Sequence, residues 1–187
     1  MVVTALTRAL PAARNAGDSE QESGIFNNLG LAHQYAGQFS MAIPCFERSI
    51  EVSHSAATPR LTQALPLLNI AVASLYLRDF SRGLSAAERA IELLGEPSDD
   101  SERMVRSTIE FAYTRLLLEV RNVPSALERA KLARLHAKGA GALGELYAEM
   151  ALGKLRRDSR EWQHAQEVRQ AGERAKDVVD RILAFSR

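Results

Sequence analysis

Residues Leu29–Ile50, LGLAHQYAGQFSMAIPCFERSI, decide the architecture. Leu29-Gly30, His33, Gly37, Phe39, Ala42, Phe46 and Ser49-Ile50 follow in the order of one amphipathic helix ending, a tight turn, and a second helix beginning. Such a helix pair cannot bury its apolar face alone, so the pattern should recur along the chain.

It does recur. The segments RDFSRGLSAAERAI, RNVPSALERAKLAR and REWQHAQEVRQAGE align with GQFSMAIPCFERSI, and their bulky turn residues Phe39, Phe80, Val123 and Trp162 are 41, 43 and 39 residues apart. Three residues after each stands Ala42, Gly83, Ala126 or Ala165, small enough for two helices to approach closely. Ten residues before each stand Leu29, Ile70, Tyr113 and Leu152, followed by the small Gly30, Ala71, Thr114 and Gly153. These matches predict helix pairs over 19–57, 58–97, 98–139 and 140–187, the last with an extended C-terminal helix. Residues 1–18 fit as half of an earlier pair, with Ala5, Ala9 and Ala12 at the spacing of Ala42, Phe46 and Ser49. Read this way, MVVTALTRALPAARNAG needs no targeting role, and no basic residue precedes its apolar part. A start in mid-repeat leads us to expect a fragment of a longer solenoid.

Caps and breakers place helices near 4–15, 19–36, 40–55, 59–77, 81–94, 99–120, 124–137, 141–157 and 161–186. Thr58 and Ser98 read as N-caps, Pro59 and Pro124 as first helical residues, and Gly95 and Gly139 as stops. Pro44 and Pro66 fall past a first turn and are expected to bend their helices.

Composition agrees with an all-α chain: Ala, Leu, Arg and Glu dominate its 187 residues and β-branched residues are sparse. A net charge of +1 supplies no field for nucleic acid or an anionic membrane, and no run approaches the roughly 20 apolar residues of a membrane span. The single cysteine, Cys45, excludes an intrachain disulfide and fits a reducing, cytoplasmic setting. His33, His54, His136 and His164 have no metal-ligand spacing, so no metal or other cofactor is expected. Gly139-Ala-Gly141-Ala-Leu-Gly144 joins two helices instead of following a strand and reads as a loop. Acidic residues are scattered along faces expected to be solvated and paired with arginine, and Cys45 reads as a packed thiol. No catalytic set emerges, and no enzyme activity is expected.

At the residues quoted above the chain resembles the tetratricopeptide-repeat family, an α-α superhelix of antiparallel helix pairs. Its spacing of 39 to 43 residues exceeds the family's usual 34 and is similar to the long repeats of kinesin light chains and bacterial regulatory proteins. His33 stands where the family has tyrosine, and the second unit has Gly83 and Ala87 at the later small and aromatic positions. The resemblance implies that first-helix side chains line a concave groove: Asn28, Leu31 and Tyr35, then Leu65, Asn69, Val72 and Tyr76, then Thr108, Arg115 and Glu119, then Tyr147, Lys154 and Asp158. In similar long-repeat proteins, asparagines at the places of Asn28 and Asn69 hold peptide backbone; the alternative is that both cap or bridge neighbouring helices. The chaperone-tail subclass fits poorly, because Asn27 and Leu31 occupy positions where its clamp has lysine and asparagine.

The expected function is therefore a non-catalytic module, the sensory or scaffolding part of a larger bacterial regulator, with a protein or peptide as ligand. An alternative is a self-association arm that forms a homodimer through the tail stripe Val178, Val179, Ile182 and Phe185, whose spacing of three to four residues leaves an uncovered apolar face. Capping of a solenoid end accounts for the same stripe.

Overall fold

A computed structural model describes residues 2–53 and 58–137. The expected helices at 141–157 and 161–186, and with them His164, Tyr147, Lys154, Asp158, Val178, Val179, Ile182 and Phe185, lie outside the described residues, as do His54 and Gly139. The described residues form helices and no strand: α1 (Val2–Ala16), α2 (Ser19–Tyr35), α3 (Phe39–Val52), α4 (Arg60–Leu77), α5 (Phe80–Leu94), α6 (Asp100–Glu119) and α7 (Val123–Ala137).

Each helix packs on the next, and α2 also meets α4, as α4 meets α6. The second helices behave differently: neither α3 and α5 nor α5 and α7 come together. First helices are thus adjacent and second helices splayed. A core of Phe46, Leu67, Ile70, Leu94, Ile109 and Leu116 runs through the pairs, and Ala13, Ile25 and Leu29 form a smaller cluster beneath α1.

The turns inside the pairs are superimposable in their bonding. Gly37, Arg78 and Arg121 adopt left-handed φ of 73°, 60° and 59°. The following amide donates back to the carbonyl five residues earlier: Gln38 to His33 at 2.9 Å, Asp79 to Ser74 at 2.9 Å and Asn122 to Leu117 at 2.8 Å. This is the Schellman closure, which satisfies carbonyls that the helix end leaves open. Asp79 and Asn122 then cap the next helix, accepting from the amides of Arg82 and Ser125.

Helix crossings repeat equally well. Ser23 and Ser49 on α2 and α3, Ala64 and Ala90 on α4 and α5, and Ser107 and Ala133 on α6 and α7 occupy matched places, all buried. The serines keep their hydroxyls paired across the crossing, Ser23 to the Ser49 carbonyl at 3.0 Å and Ser107 to the Ala133 carbonyl at 2.9 Å. The small residues read from the sequence have the expected role. A Cβ on Gly30 would fall 2.4 Å from the Phe46 ring, and one on Gly83 would fall 2.7 Å from a Leu116 methyl.

Four local expectations are corrected. The packed face of α1 is Leu6, Leu10 and Ala13, while Ala5, Ala9 and Ala12 are exposed, a register shift of one residue. The N-cap of α4 is Pro59 instead of Thr58, and that of α6 is Asp99, which accepts from the Glu102 amide at 2.8 Å, instead of Ser98. Pro124 is the second residue of α7, not the first. Finally, the acids are not all on solvated faces, because Glu110 is wholly buried.

Candidate functional site

The candidate groove is built on α2, α4 and α6. On α2, spacings of three and four residues put Asn28, Leu31 and Tyr35 on one face. The same spacings align Leu65, Asn69, Val72 and Tyr76 on α4, and Thr108, Arg115 and Glu119 on α6. Leu31, Leu65 and Val72 are half-buried and pack against the core with one flank. Asn28 is exposed, and Tyr35 projects with 85% of its surface free. Tyr76, also exposed, stacks on Phe39 with ring centroids 4.4 Å apart and planes within 5°. Arg115 lies over the Phe111 ring, 5.9 Å from its centroid. Lys154 lies outside the described residues.

The asparagine that α4 presents meets α2 through Asn27. Asn69 Nδ2 donates to Asn27 Oδ1 at 2.9 Å, a bridge between first helices of successive pairs. Each primary amide has both donor and acceptor, so this bond leaves the Asn27 amide nitrogen and the Asn69 carbonyl oxygen with hydrogen-bonding capacity. One donor and one acceptor side by side match the carbonyl and N–H of a peptide unit. Spacing pointed to the other asparagine: Asn28 lies 41 residues before Asn69, the interval between Phe39 and Phe80, whereas Asn27 lies 42 before.

A buried charged cluster, absent from the sequence-level expectations, lies between α6 and α7. Glu110 is 0% exposed and accepts from Arg106 Nε at 3.0 Å. Arg129 approaches the same carboxylate at 3.4 Å from α7 and covers the Tyr113 ring, 4.7 Å from its centroid. Arg106 also donates to the Gly95 carbonyl at 2.6 Å. Tyr113 donates its hydroxyl to Glu88, and its phenol is pushed up to about 12, first by burial and then by that carboxylate. Burial and the Arg106 charge hold His136 below the usual imidazole range, against the opposing pull of Glu110 and Glu96. The signal was present in the aligned units, since Glu110 stands where Leu67 and Phe26 stand in the preceding two.

A second charged junction links three helix ends. Arg60 at the start of α4 donates to the Leu94 carbonyl at 2.9 Å and pairs with Glu102 at 3.0 Å. Glu102 also accepts from the Ser98 backbone and hydroxyl, each at 2.8 Å, and these bonds, with Arg60 adding to them, hold its carboxyl below the usual range.

The Cys45 thiol donates to the Met41 carbonyl at 3.5 Å, and burial pushes its pKa up, away from thiolate. Among the described residues no three His, Cys, Asp or Glu side chains gather as a metal site. No described helix is long and apolar enough to cross a membrane. Compared with known proteins, the chain matches no family model and is similar to no curated sequence.

Proposed function

We propose that the chain is a tetratricopeptide-type solenoid whose first helices present a groove for an extended peptide or partner segment. In this reading it is a non-catalytic, cytoplasmic sensory or scaffolding part of a larger bacterial regulator. The observation that carries the reading is the Asn27–Asn69 bridge between adjacent first helices. It sets a polar pair within a face otherwise made of Leu31, Leu65, Val72 and the exposed Tyr35 and Tyr76. Close first helices and splayed second helices support curvature toward the α2–α4–α6 side. Tyrosines add large contact area with a polar tip, which suits recognition.

Selection from a random peptide library, followed by fluorescence anisotropy on the recovered peptides, tests this. Asn28→Ala/Asn69→Ala and Tyr35→Ala/Tyr76→Ala should each weaken binding at least about tenfold, the loss of roughly 1.4 kcal/mol. Peptides bound equally by the parent and both variants would place recognition elsewhere.

A further inference from the structure

The described turns inside the helix pairs share a backbone path but not a sequence. The first is Ala36-Gly37-Gln38-Phe39, the second Leu77-Arg78-Asp79-Phe80 and the third Val120-Arg121-Asn122-Val123. In each the second residue is left-handed and the amide of the third donates back to the preceding helix. Ala36-Gly37 shows that the path is satisfied by a small residue followed by one with no Cβ. The later two turns depart from that solution at the same two places.

Neither departure serves the fold. Arg78 and Arg121 hold φ of 60° and 59°, a region that strains an L side chain and suits glycine. Leu77 and Val120 each leave 43% of their surface in solvent, and Val123 leaves 46%. Phe80, half-buried, lies beneath the Arg78 guanidinium, 5.4 Å from its ring centroid. Helices α4 and α6 pack on one another, so the turns that end them lie side by side. Apolar side chains gathered in solvent mark an interaction surface, and strain kept at an exposed position points the same way.

The charge at this edge selects the partner. Asp79 and Arg82 answer each other at 3.6 Å, and Glu119 already has a partner. Neither Arg78 nor Arg121 meets a carboxylate among the described residues. Two cations therefore stand without a counter-charge among Leu77, Phe80, Val120 and Val123. Recognition of an anionic membrane takes roughly four to eight basic residues, so two arginines fit the carboxylates of a protein segment better.

We propose that the α4–α5 and α6–α7 turns together dock an acidic, apolar segment of a partner protein. Its carboxylates pair with Arg78 and Arg121, and its leucine or aromatic side chains cover Leu77, Val120 and Val123. Packed helices stand about 8–10 Å apart. Residues three apart in an extended polyproline-II chain lie on one face with a separation of about 9 Å. Acids at every third position therefore reach both arginines. The surface occupies the helix ends, beyond Tyr76, and does not depend on the first-helix groove.

A labelled nonapeptide of three Glu-Leu-Phe repeats serves as the probe, with two controls: lysine in place of glutamate, or serine in place of leucine and phenylalanine. By anisotropy the intact protein should bind the acidic apolar peptide at least tenfold more tightly than either control. Arg78→Gly/Arg121→Gly should weaken that binding at least tenfold without lowering the melting temperature, a separation that a purely structural role would not give. Leu77→Ala/Val120→Ala, which reproduces the alanine of the first turn, should weaken it as well. Asn28→Ala/Asn69→Ala should leave it unchanged, which keeps this test apart from that of the first-helix groove. Absent saturable binding, equal affinity for the lysine peptide, affinity unmoved by the glycine variant, or affinity lost in the asparagine variant overturns the proposal. So does co-sedimentation with phosphatidylserine vesicles that the glycine variant abolishes, which would assign the surface to a membrane. Concentration-dependent dimerisation abolished by the same variant overturns it too, by making a second copy the occupant.

Discussion

Replacing Glu110 by leucine alone should destabilise the protein far more than exchanging the whole charged cluster. Glu110 is fully buried, and Arg106, whose side chain is 10% exposed, and Arg129, at 30%, depend on it for charge compensation. Removing one partner of a buried pair leaves an uncompensated charge and costs about 3–5 kcal/mol. For a chain of this length about 2–4 °C is lost per kcal/mol, so the melting temperature should fall by roughly 6–20 °C. The preceding helix pair supplies an apolar alternative that its own backbone already accommodates: Gln63, Leu67 and Ala86 stand at the places of Arg106, Glu110 and Arg129. Arg106→Gln/Glu110→Leu/Arg129→Ala therefore imports a compatible set, in line with buried ion networks that apolar residues replace at little cost. Two debits are evident: the Gly95 carbonyl loses its bond from Arg106, about 1–3 kcal/mol if left unpaired, and the Tyr113 ring loses the Arg129 guanidinium that covers it, about 0.5–1 kcal/mol. The triple variant should stay within about 2 kcal/mol of the parent. Urea titration followed by circular dichroism measures both. A Glu110→Leu protein as stable as the parent, or a triple variant as unstable as the single one, would refute the reasoning.

Three further outcomes follow from the turns, crossings and titrating groups. Gly30→Ala should lower stability by about 1–2 kcal/mol, because its Cβ meets the rigid Phe46 ring at 2.4 Å and overpacking exceeds the gain in helix propensity; Gly83→Ala, whose Cβ meets the Leu116 methyls at 2.7 and 3.1 Å and the Ser74 Cβ at 3.2 Å, should cost less because the leucine end can turn aside, and Phe46→Leu should restore part of the Gly30→Ala loss on denaturant titration. Arg121→Gly should raise stability by about 1 kcal/mol by relieving a left-handed residue, whereas Arg78→Gly should gain less because Arg78 also lies 5.4 Å over the Phe80 ring; equal or negative shifts in melting temperature would contradict this. Acid should act in two windows. Below about pH 6.5 the unfolded chain takes up a proton that folded His136 resists, so stability falls and His136→Gln should flatten that slope. The contribution of Glu102, whose folded pKa is lowered, is present above about pH 4.3 and is lost as pH falls through the lowered value, a loss that Glu102→Gln should remove from the melting curves.

The helix pairs were legible because turns impose the same demands each time. Phe39, Phe80 and Val123 mark the first residues of α3, α5 and α7, and Gly37 marks the left-handed position that Arg78 and Arg121 share without advertising it. Alignment by small residues failed at the N-terminus: α1 is rich in alanine, so exposed Ala5, Ala9 and Ala12 imitated a spacing that belongs to Leu6, Leu10 and Ala13. Caps slipped by one residue where two candidates adjoin, as with Ser98 and Asp99. In the candidate groove, the first-helix residues came from the family resemblance, and the partner of Asn69 was not readable. Asn27 and Asn28 are adjacent, and only the crossing of α2 over α4 selects the first.

Positions of two physical kinds alternate along these helices, and the distinction explains why resemblance stops short of function. At the left-handed turn residue and at the crossings Ser23/Ser49, Ala64/Ala90 and Ser107/Ala133, backbone geometry leaves little room for choice. At the places held in turn by Phe26, Leu67 and Glu110, or by Cys45, Ala86 and Arg129, side chains face a space whose filling is decided by their neighbours. A phenylalanine flanked by Arg14 and Arg48, a buried leucine packed on alanine and a buried ion network are three solutions on one backbone plan. Changes of the second kind alter what a groove can bind while leaving the helix pairing intact, so the chemistry of recognition must be argued groove by groove.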